Sequence, residues 1–185
     1  MKTIQTALLL SAFLLAPAYA KEEPKVIKND AGEAIEYRGV LTPKQKRFKQ
    51  LAEHRVIARY TGSPYQRCMG LTGACPEHCG SSGEYATFKV TQYLHYAKPG
   101  EYGDDKQKEF RIHISDFHKK ETGDKLANSV IKGLKKGDLV LLERKHLYGE
   151  YSPGAHGPVR PLMLLKKITE EEAKALTDKA GKAAK

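Results

Sequence analysis

The feature that most constrains the fold is the spacing of apolar residues, which changes once along the chain. Apolar and polar side chains first alternate in three segments, as they do in strands that bury one face. These segments are residues 55–61, 86–97 and 109–115. The spacing then becomes helical between Asp124 and Gly137, and two apolar strands follow at residues 139–148 and 159–168. The pattern predicts a mainly β fold with short helices, in the order strand, strand, strand, helix, strand, strand.

Polar segments flank this predicted core on both sides. Residues 21–41 contain proline, glycine and many charged side chains, and we expect them to form a loose leader. Thr42, followed by proline, is typical of a helix N-cap and predicts a short N-terminal helix that ends near His54. Residues 169–185 begin with a capping box and continue as a charged helical tail that we expect to be solvated. The sequence therefore predicts a single domain over residues 42–168.

Residues 1–20 have the three-part pattern of a secretory signal peptide. Lys2 supplies a positive charge, and residues 7–15 form an apolar run. Residues 18–20, Ala-Tyr-Ala, then match the small-x-small pattern that signal peptidase reads. The apolar run is much shorter than the roughly 20 residues that span a bilayer. We therefore expect cleavage after Ala20, export to the periplasm or the outside, and no stable membrane insertion of the mature chain.

The order of elements resembles the oligonucleotide/oligosaccharide-binding fold, or OB-fold, whose helix lies between the third and fourth strands. The segment Leu134–Val140, LKKGDLV, also resembles the L-x-x-G-D-x-V entry to the fourth strand of such barrels. The resemblance covers roughly residues 55–168. It implies an OB-like five-stranded Greek-key barrel that binds ligands at the loops after its first and fourth strands. Another small barrel, such as an SH3-like one, is the competing architecture.

The three cysteines of the chain, Cys68, Cys75 and Cys79, all fall within twelve residues rich in glycine. On the OB-like interpretation they occupy the loop between the first and second strands. An oxidising compartment favours a disulfide between Cys68 and one of the later two. Such a bond would close a loop of about ten residues and stabilise the fold by roughly 2–3 kcal/mol. The remaining thiol would then need burial or an intermolecular partner.

The same cysteines can instead bind a soft metal ion as thiolates. Three thiolates and one imidazole form a common tetrahedral zinc set. Cys79 follows His78 directly, but His156 or His146, near the loop after the fourth strand, is the better expected fourth ligand. A contribution from Met69 would favour cuprous copper. The sequence leaves disulfide and metal, and zinc and copper, as open alternatives.

A third alternative, a catalytic thiol, has little support. Such a thiol needs a base in reach and a lowered pKa, and no third group that would orient His78 is marked. The redox pair C-x-x-C is absent from the sequence. We therefore expect a non-enzymatic binding module and assign no catalytic residue.

The formal net charge of +10 favours polyanionic partners such as nucleic acid, lipopolysaccharide or acidic glycans. Alternation in the second and third predicted strands places cations and aromatic rings together on one outward face. These residues are Lys89, Tyr93, His95, Arg111 and His113. Such a face suits stacking and phosphate attraction. An ordinary solvated sheet face has the same alternation and is the competing interpretation.

Overall fold

The computed structural model describes residues 22–70, 73, 75 and 79–183, so the predicted signal peptide lies outside the described residues. In this part of the chain nine strands form one antiparallel sheet. They are β1 (Lys25–Lys28), β2 (Ala34–Arg38), β3 (Lys49–Gly62), β4 (Tyr65–Gln66), β5 (Gly83–Ala97), β6 (Glu109–Asp116), β7 (Leu139–Ser152), β8 (Ala155–Val159) and β9 (Leu162–Ile168). The helices are α1 (Lys125–Lys132) and α2 (Glu170–Ala183). Neither helix has the length and apolar character needed to cross a membrane.

The mainly β prediction is confirmed, but the sheet is open and not a closed barrel. Its order is β1-β2-β9-β7-β3-β5-β4, with β6 also paired to β5 and β8 to β7. In a five-stranded closed barrel, the outer edge of the last strand would pair with the third strand, here β6. That edge of β9 is occupied by β2 instead. A strand has only two edges for hydrogen bonding, so closure is excluded.

The main core lies between the sheet and α1. Asp124 caps α1 by accepting hydrogen bonds from the backbone N–H groups of Leu126 and Ala127, as the N-cap prediction required. Val130 and Ile131 on the inner face of the helix are buried. They pack in one cluster with side chains from β2, β3, β5, β6, β7 and β9. β2 lies near one end of the strand order, and β5 and β6 lie near the other end. Because all three contribute side chains to the same cluster, the sheet must curl around α1.

A second, smaller core covers the opposite face of the sheet. Ile57 and Leu141 are buried there against Ala173, and Leu176 packs at the margin. Ala173 and Leu176 belong to α2, so the C-terminal helix docks on the sheet through one face. The expectation of a solvated tail is therefore corrected for that face. Its capping box is confirmed by reciprocal bonds between Thr169 and Glu172.

Within the polar leader predicted over residues 21–41, Lys25–Lys28 and Ala34–Arg38 form a β-hairpin, which corrects the expectation of a loose segment. β1 pairs with β2, and β2 pairs with β9 at the edge of the sheet. Gly32, with φ of +79°, supports the reversal of the chain between the two strands. Tyr37 is the one large apolar side chain of the β1–β2 hairpin that is buried, with 4% exposure. The hairpin has few apolar residues because one side of an edge strand faces water.

The N-terminal helix predicted from Thr42 to His54 is reduced to one 3-10 turn over Gln45–Arg47. The turn begins after Lys44, which makes no capping bond through its side chain. Thr42 and Gln45 nevertheless exchange hydrogen bonds from backbone N–H to side-chain oxygen, as in a capping box. The chain then enters β3 at Lys49, six residues earlier than expected. The first residues of β3 pair with the end of β7 instead of forming a helix. We attribute this to the pairing, because it supplies hydrogen-bond partners to the backbone of the whole segment.

Candidate metal centre

The three cysteines lie on the loop between β4 and β5, which we call the cysteine loop (residues 67–82). The strands that enter and leave it are paired, with Gln66 opposite Gly83. Just inside this pair, the backbone N–H of Cys68 donates to the hydroxyl of Ser82 at 2.9 Å. Ser82 is buried, with 1% exposure. The base of the cysteine loop is therefore fastened to the sheet.

The cysteine sulfurs converge. All three Sγ atoms lie within 4.8 Å of one another, and those of Cys68 and Cys75 are 3.6 Å apart. Cys68, Cys75 and Cys79 are each partly exposed, and no disulfide joins them in the part of the chain that the structure describes. Sulfurs on one tetrahedral zinc ion are about 3.8 Å apart, because each Zn–S bond is about 2.3 Å. The spacing of the Cys68 and Cys75 sulfurs is therefore close to that of two ligands on one ion.

Gly70 is the residue that allows this convergence. A Cβ atom at this position would lie 2.8 Å from the sulfur of Cys75 and 3.4 Å from that of Cys68. The first distance is too short for any carbon and sulfur that are not bonded. Gly70 also donates its backbone N–H to Cys68, and that bond by itself lowers the pKa of the thiol. The backbone at Gly70 thus lies directly against the sulfurs of Cys68 and Cys75.

Crowding of the thiols acts against ionisation. The neighbouring thiols of Cys79 and Cys75 outweigh the bond from Gly70, and the pKa of Cys68 lies above its ordinary value. Thiolates this close repel one another unless a cation lies between them. The cluster therefore has the electrostatic character of a site that gains most from a bound positive ion.

An aromatic pair flanks the sulfurs on the sheet side. Burial first, and then the charges of Cys68 and Cys79, raise the pKa of Tyr85. The ring of Tyr85 stacks on His113, with centroids 4.5 Å apart and an interplanar angle of 11°. Its hydroxyl donates to the carbonyl of Ser81 at 2.8 Å. Tyr85 is thus held rigidly beside the sulfurs, and the sequence analysis missed it, since no local pattern marks it.

Two of the predicted histidine ligands, His146 and His156, are not brought to the cysteines. His78 lies outside the described residues. His146 is near one end of the β3/β7 ladder, and His156 is exposed on β8, opposite Glu150. The cysteine loop follows the other end of β3. Because β3 and β7 are antiparallel, the loops that follow them lie at opposite ends of the sheet. The expectation that His156 or His146 joins the cysteines is therefore corrected.

The predicted outward face is also changed, because β5 contains two bulges. Its pairing with β3 shifts register between Val90 and Gln92 and again between Tyr93 and His95. Each extra residue reverses which face the following side chains occupy. Tyr93 therefore packs against the main core, whereas Leu94, the next residue in the chain, packs on the second core. Tyr93 does not share a face with Lys89.

The other four residues of the predicted face are Lys89, His95, Arg111 and His113. The two cations among them lie beside an acidic side chain, which reduces the positive charge expected from the sequence. Arg111 pairs with Glu109 at 2.7 Å, and Lys89 lies opposite Glu109 in the ladder. His113 is stacked under Tyr85, and His95 is exposed at the far part of β5. The five residues therefore do not form one continuous cationic and aromatic surface.

Comparison of this chain with protein-family models, curated proteins and solved structures found no match. The chemistry of the candidate centre follows from its three sulfurs and from the groups that hold them.

Proposed function

We propose that this protein is an exported, non-enzymatic binding module that holds a soft metal ion on the thiolates of Cys68, Cys75 and Cys79. The observation that carries the proposal is the convergence of all three sulfurs within 4.8 Å on one loop. Thiolates select zinc and cuprous copper among the common metal ions.

The number of ligands bears on which ion binds. Among the described residues, no histidine or carboxylate joins the three sulfurs. Cuprous copper suits such an all-thiolate set, because soft sulfur ligands select it. Zinc would take a fourth ligand, either His78, which precedes Cys79 in the sequence, or water. Met69 has a side chain with 81% exposure next to Cys68 and offers a further soft ligand.

The strand pairings support the finer part of the fold proposal, an OB-like core. β3 pairs with both β5 and β7, β5 continues to β6, and β7 continues to β9. α1 lies in the chain between β6 and β7. This order is similar to that of a five-stranded Greek-key barrel, opened here by the hairpin of β1 and β2.

Export follows from the signal-peptide pattern of residues 1–20 and would place the thiols in an oxidising compartment. A bound ion protects thiolates there, because a coordinated sulfur is less available to attack or be attacked by a second sulfur. Without the ion, the same proximity favours a disulfide, and that is the outcome the experiment must separate from metal binding.

The test is elemental analysis and thiol titration of the full chain, purified without added metal. We expect about one equivalent of zinc or copper per chain. Cys68→Ser, Cys75→Ser and Cys79→Ser should each abolish it, whereas Ser81→Ala, a control at an exposed position of the same loop, should keep it. X-ray absorption should show metal–sulfur distances of about 2.3 Å.

The opposite result is equally clear. A chain with no stoichiometric metal, one titratable thiol and a disulfide found by mass spectrometry would show that the loop is fastened by a covalent bond.

A further inference from the structure

A second site lies at the other end of the curved sheet, away from the cysteine loop. It is a cleft of about 690 Å³, and we call it the basic cleft. Its walls come from β3, the β5–β6 connection, β6, β7 and the segment before β9. The lining includes His54, Asp104, Arg144, His146 and Arg160. A cleft of this size is typical of sites for small molecules.

Arg144 is the central cation of the basic cleft. Its Nε donates to the backbone carbonyl of Arg160 at 3.2 Å, and its Nη1 donates to that of Arg111 at 3.4 Å. These bonds hold the guanidinium across the concave side of the sheet, since β7 and β6 are not neighbours. In the part of the chain that the structure describes, no carboxylate pairs with Arg144. A partly buried arginine held by carbonyl groups alone still lacks a counter-charge.

Other cations surround Arg144, and they outnumber the acids. Six basic side chains line the basic cleft, against the two carboxylates of Asp104 and Glu109. Arg160 and Arg111 are paired with those carboxylates. The other basic residues are Lys106, Lys108 and Lys145.

Two of these three lysines, Lys106 and Lys108, have no carboxylate partner among the described residues and can contact a ligand. The third, Lys145, pairs with Glu53 at 3.7 Å. Lys106 and Lys108 are exposed, and over the described ranges neither has a carboxylate partner. The Lys106 ammonium lies 5.3 Å from the Tyr93 ring centroid, a cation–π contact that leaves its charge uncompensated.

Two buried histidines add polar groups without partners. His54 and His146 are 2% and 4% exposed, and the Nε2 atom of each has no hydrogen-bond partner among the described residues. The Asp104 backbone N–H donates to Nδ1 of His146 at 3.1 Å, so the hydrogen of this imidazole is on Nε2. A buried N–H donor without an acceptor is costly, and a small rearrangement would direct it to a ligand oxygen.

From this geometry we infer that the basic cleft binds a doubly charged oxyanion, either a phosphate or sulfate ion or the phosphate monoester of a small ligand, with Arg144 as its main contact. Three uncompensated cations, Arg144, Lys106 and Lys108, match more than one negative charge. The planar guanidinium binds two oxygens of such a group side by side. Phe110 also lines the cleft, but it is only 4% exposed, so we expect the contacts to the anion to dominate binding. This site is separate from the cysteine loop and does not depend on the proposed metal.

The inference is tested by titrating the full chain with inorganic phosphate and with sulfate, at ionic strength held constant with chloride. Binding is followed by NMR shifts and calorimetry. We expect saturable binding at one site. Arg144→Gln should weaken it by about tenfold or more, the loss expected for charge-assisted hydrogen bonds. Arg47→Gln, which removes the same charge from an exposed arginine outside the basic cleft, should change the affinity less than about twofold, as expected where only screened long-range attraction is lost.

Arg144→Gln also removes two hydrogen bonds to backbone carbonyls and can therefore impair folding. A second variant keeps the test valid in that case. The double variant Lys106→Gln/Lys108→Gln alters only exposed side chains and should weaken phosphate binding several-fold. Tighter binding of phenyl phosphate than of inorganic phosphate would assign the anion to an organic ester, and equal affinity would assign it to a free ion. Both support the site.

Two results would overturn the inference. One is phosphate binding that all of these variants leave unchanged. The other is retention on a heparin column without saturable binding of phosphate or sulfate, which would indicate a diffuse polyanion surface.

Discussion

The backbone N–H of Cys68 donates to the hydroxyl of Ser82 across the base of the cysteine loop, at 2.9 Å. This bond joins the first cysteine to a buried residue at the start of β5, fourteen positions later in the chain. It holds the first cysteine in a defined place relative to the sheet. Both the geometry of the sulfurs and their reactivity should depend on it.

Ser82→Ala should loosen the cysteine loop. The change leaves a backbone N–H unpaired, which costs about 1–3 kcal/mol where the group is buried. We expect a lower free energy of unfolding and weaker metal binding, measured by chemical denaturation and by competition with a chelator. Ser81→Ala is the matched control, because its side chain is exposed and its carbonyl still accepts from Tyr85. Equal behaviour of the two variants would contradict a role for the Cys68–Ser82 bond.

Gly70→Ala should disrupt the metal site with little effect on the sheet. The new Cβ would come within 2.8 Å of the Cys75 sulfur, so the sulfurs must separate. We expect metal affinity to fall by about tenfold or more, as for loss of ligand orientation at other metal sites. At Gly73 a Cβ meets nothing within 4 Å, so Gly73→Ala serves as the control. Thermal unfolding of both variants without metal should match the parent chain, and retained affinity in Gly70→Ala would refute the proposed arrangement.

Stability should fall as the pH is lowered from 7.5 to 5.5. Burial lowers the pKa of His54 and of His146 below the ordinary 6.5, with Arg144 and Arg160 adding to the effect on His146 and Asp104 opposing it. The unfolded chain therefore binds protons that the folded chain does not, and each histidine contributes a slope of up to about 1.4 kcal/mol per pH unit. Asp104, whose pKa is lowered from 3.8, stays ionised throughout this range.

Melting temperatures of His54→Gln measured over the same pH range check the origin of that slope. The variant should show a smaller dependence on pH than the parent chain. His156→Gln, at an exposed position, should leave the dependence as it is. A stability that does not change between pH 7.5 and 5.5 would mean that neither buried imidazole resists protonation.

Asp104→Asn should destabilise the fold and strengthen anion binding at the basic cleft. Asp104 accepts two hydrogen bonds from Arg160, at 2.7 and 2.8 Å, and these would be lost or weakened. A charge-assisted bond contributes about 1.5–3 kcal/mol, less at a partly exposed pair such as this one. The change also removes one of two acids from the cleft, so phosphate should bind more tightly. Asp105→Asn, with a side chain 84% exposed, is the control for both denaturation and titration.

Several elements were predictable because their signals are local. The Asp124 cap, the helical spacing that follows it and the inward face of β6 were confirmed. On the other face of β6, Ser115 is buried as well. The helix ends at Gly133 and not at Gly137, since the chain must turn early to bring Gly137 to the backbone of Tyr60 on β3. Local chemistry determines where a helix can begin, and distant pairing decides where it has to end.

Other features depended on contacts that a sequence pattern cannot contain. The bulges that turn Tyr93 inward arise where β5 adjusts its register to β3. The basic cleft is assembled from segments between His54 and Arg160, which are far apart in the chain. Nothing in the spacing near Arg144 indicates that its guanidinium reaches the backbone of Arg111 on a strand that is not its neighbour.

The sequence by itself determined that this chain is mainly β, that α1 follows the third long strand, and that three sulfurs share one loop. Only the tertiary structure decided that the sheet stays open, that His146 and His156 lie away from the cysteines, and that no carboxylate of the described residues is paired with Arg144. The reason is physical. Propensity, capping and periodicity act over a few residues, whereas edge pairing, antiparallel direction and convergence of charge are properties of elements that meet after folding.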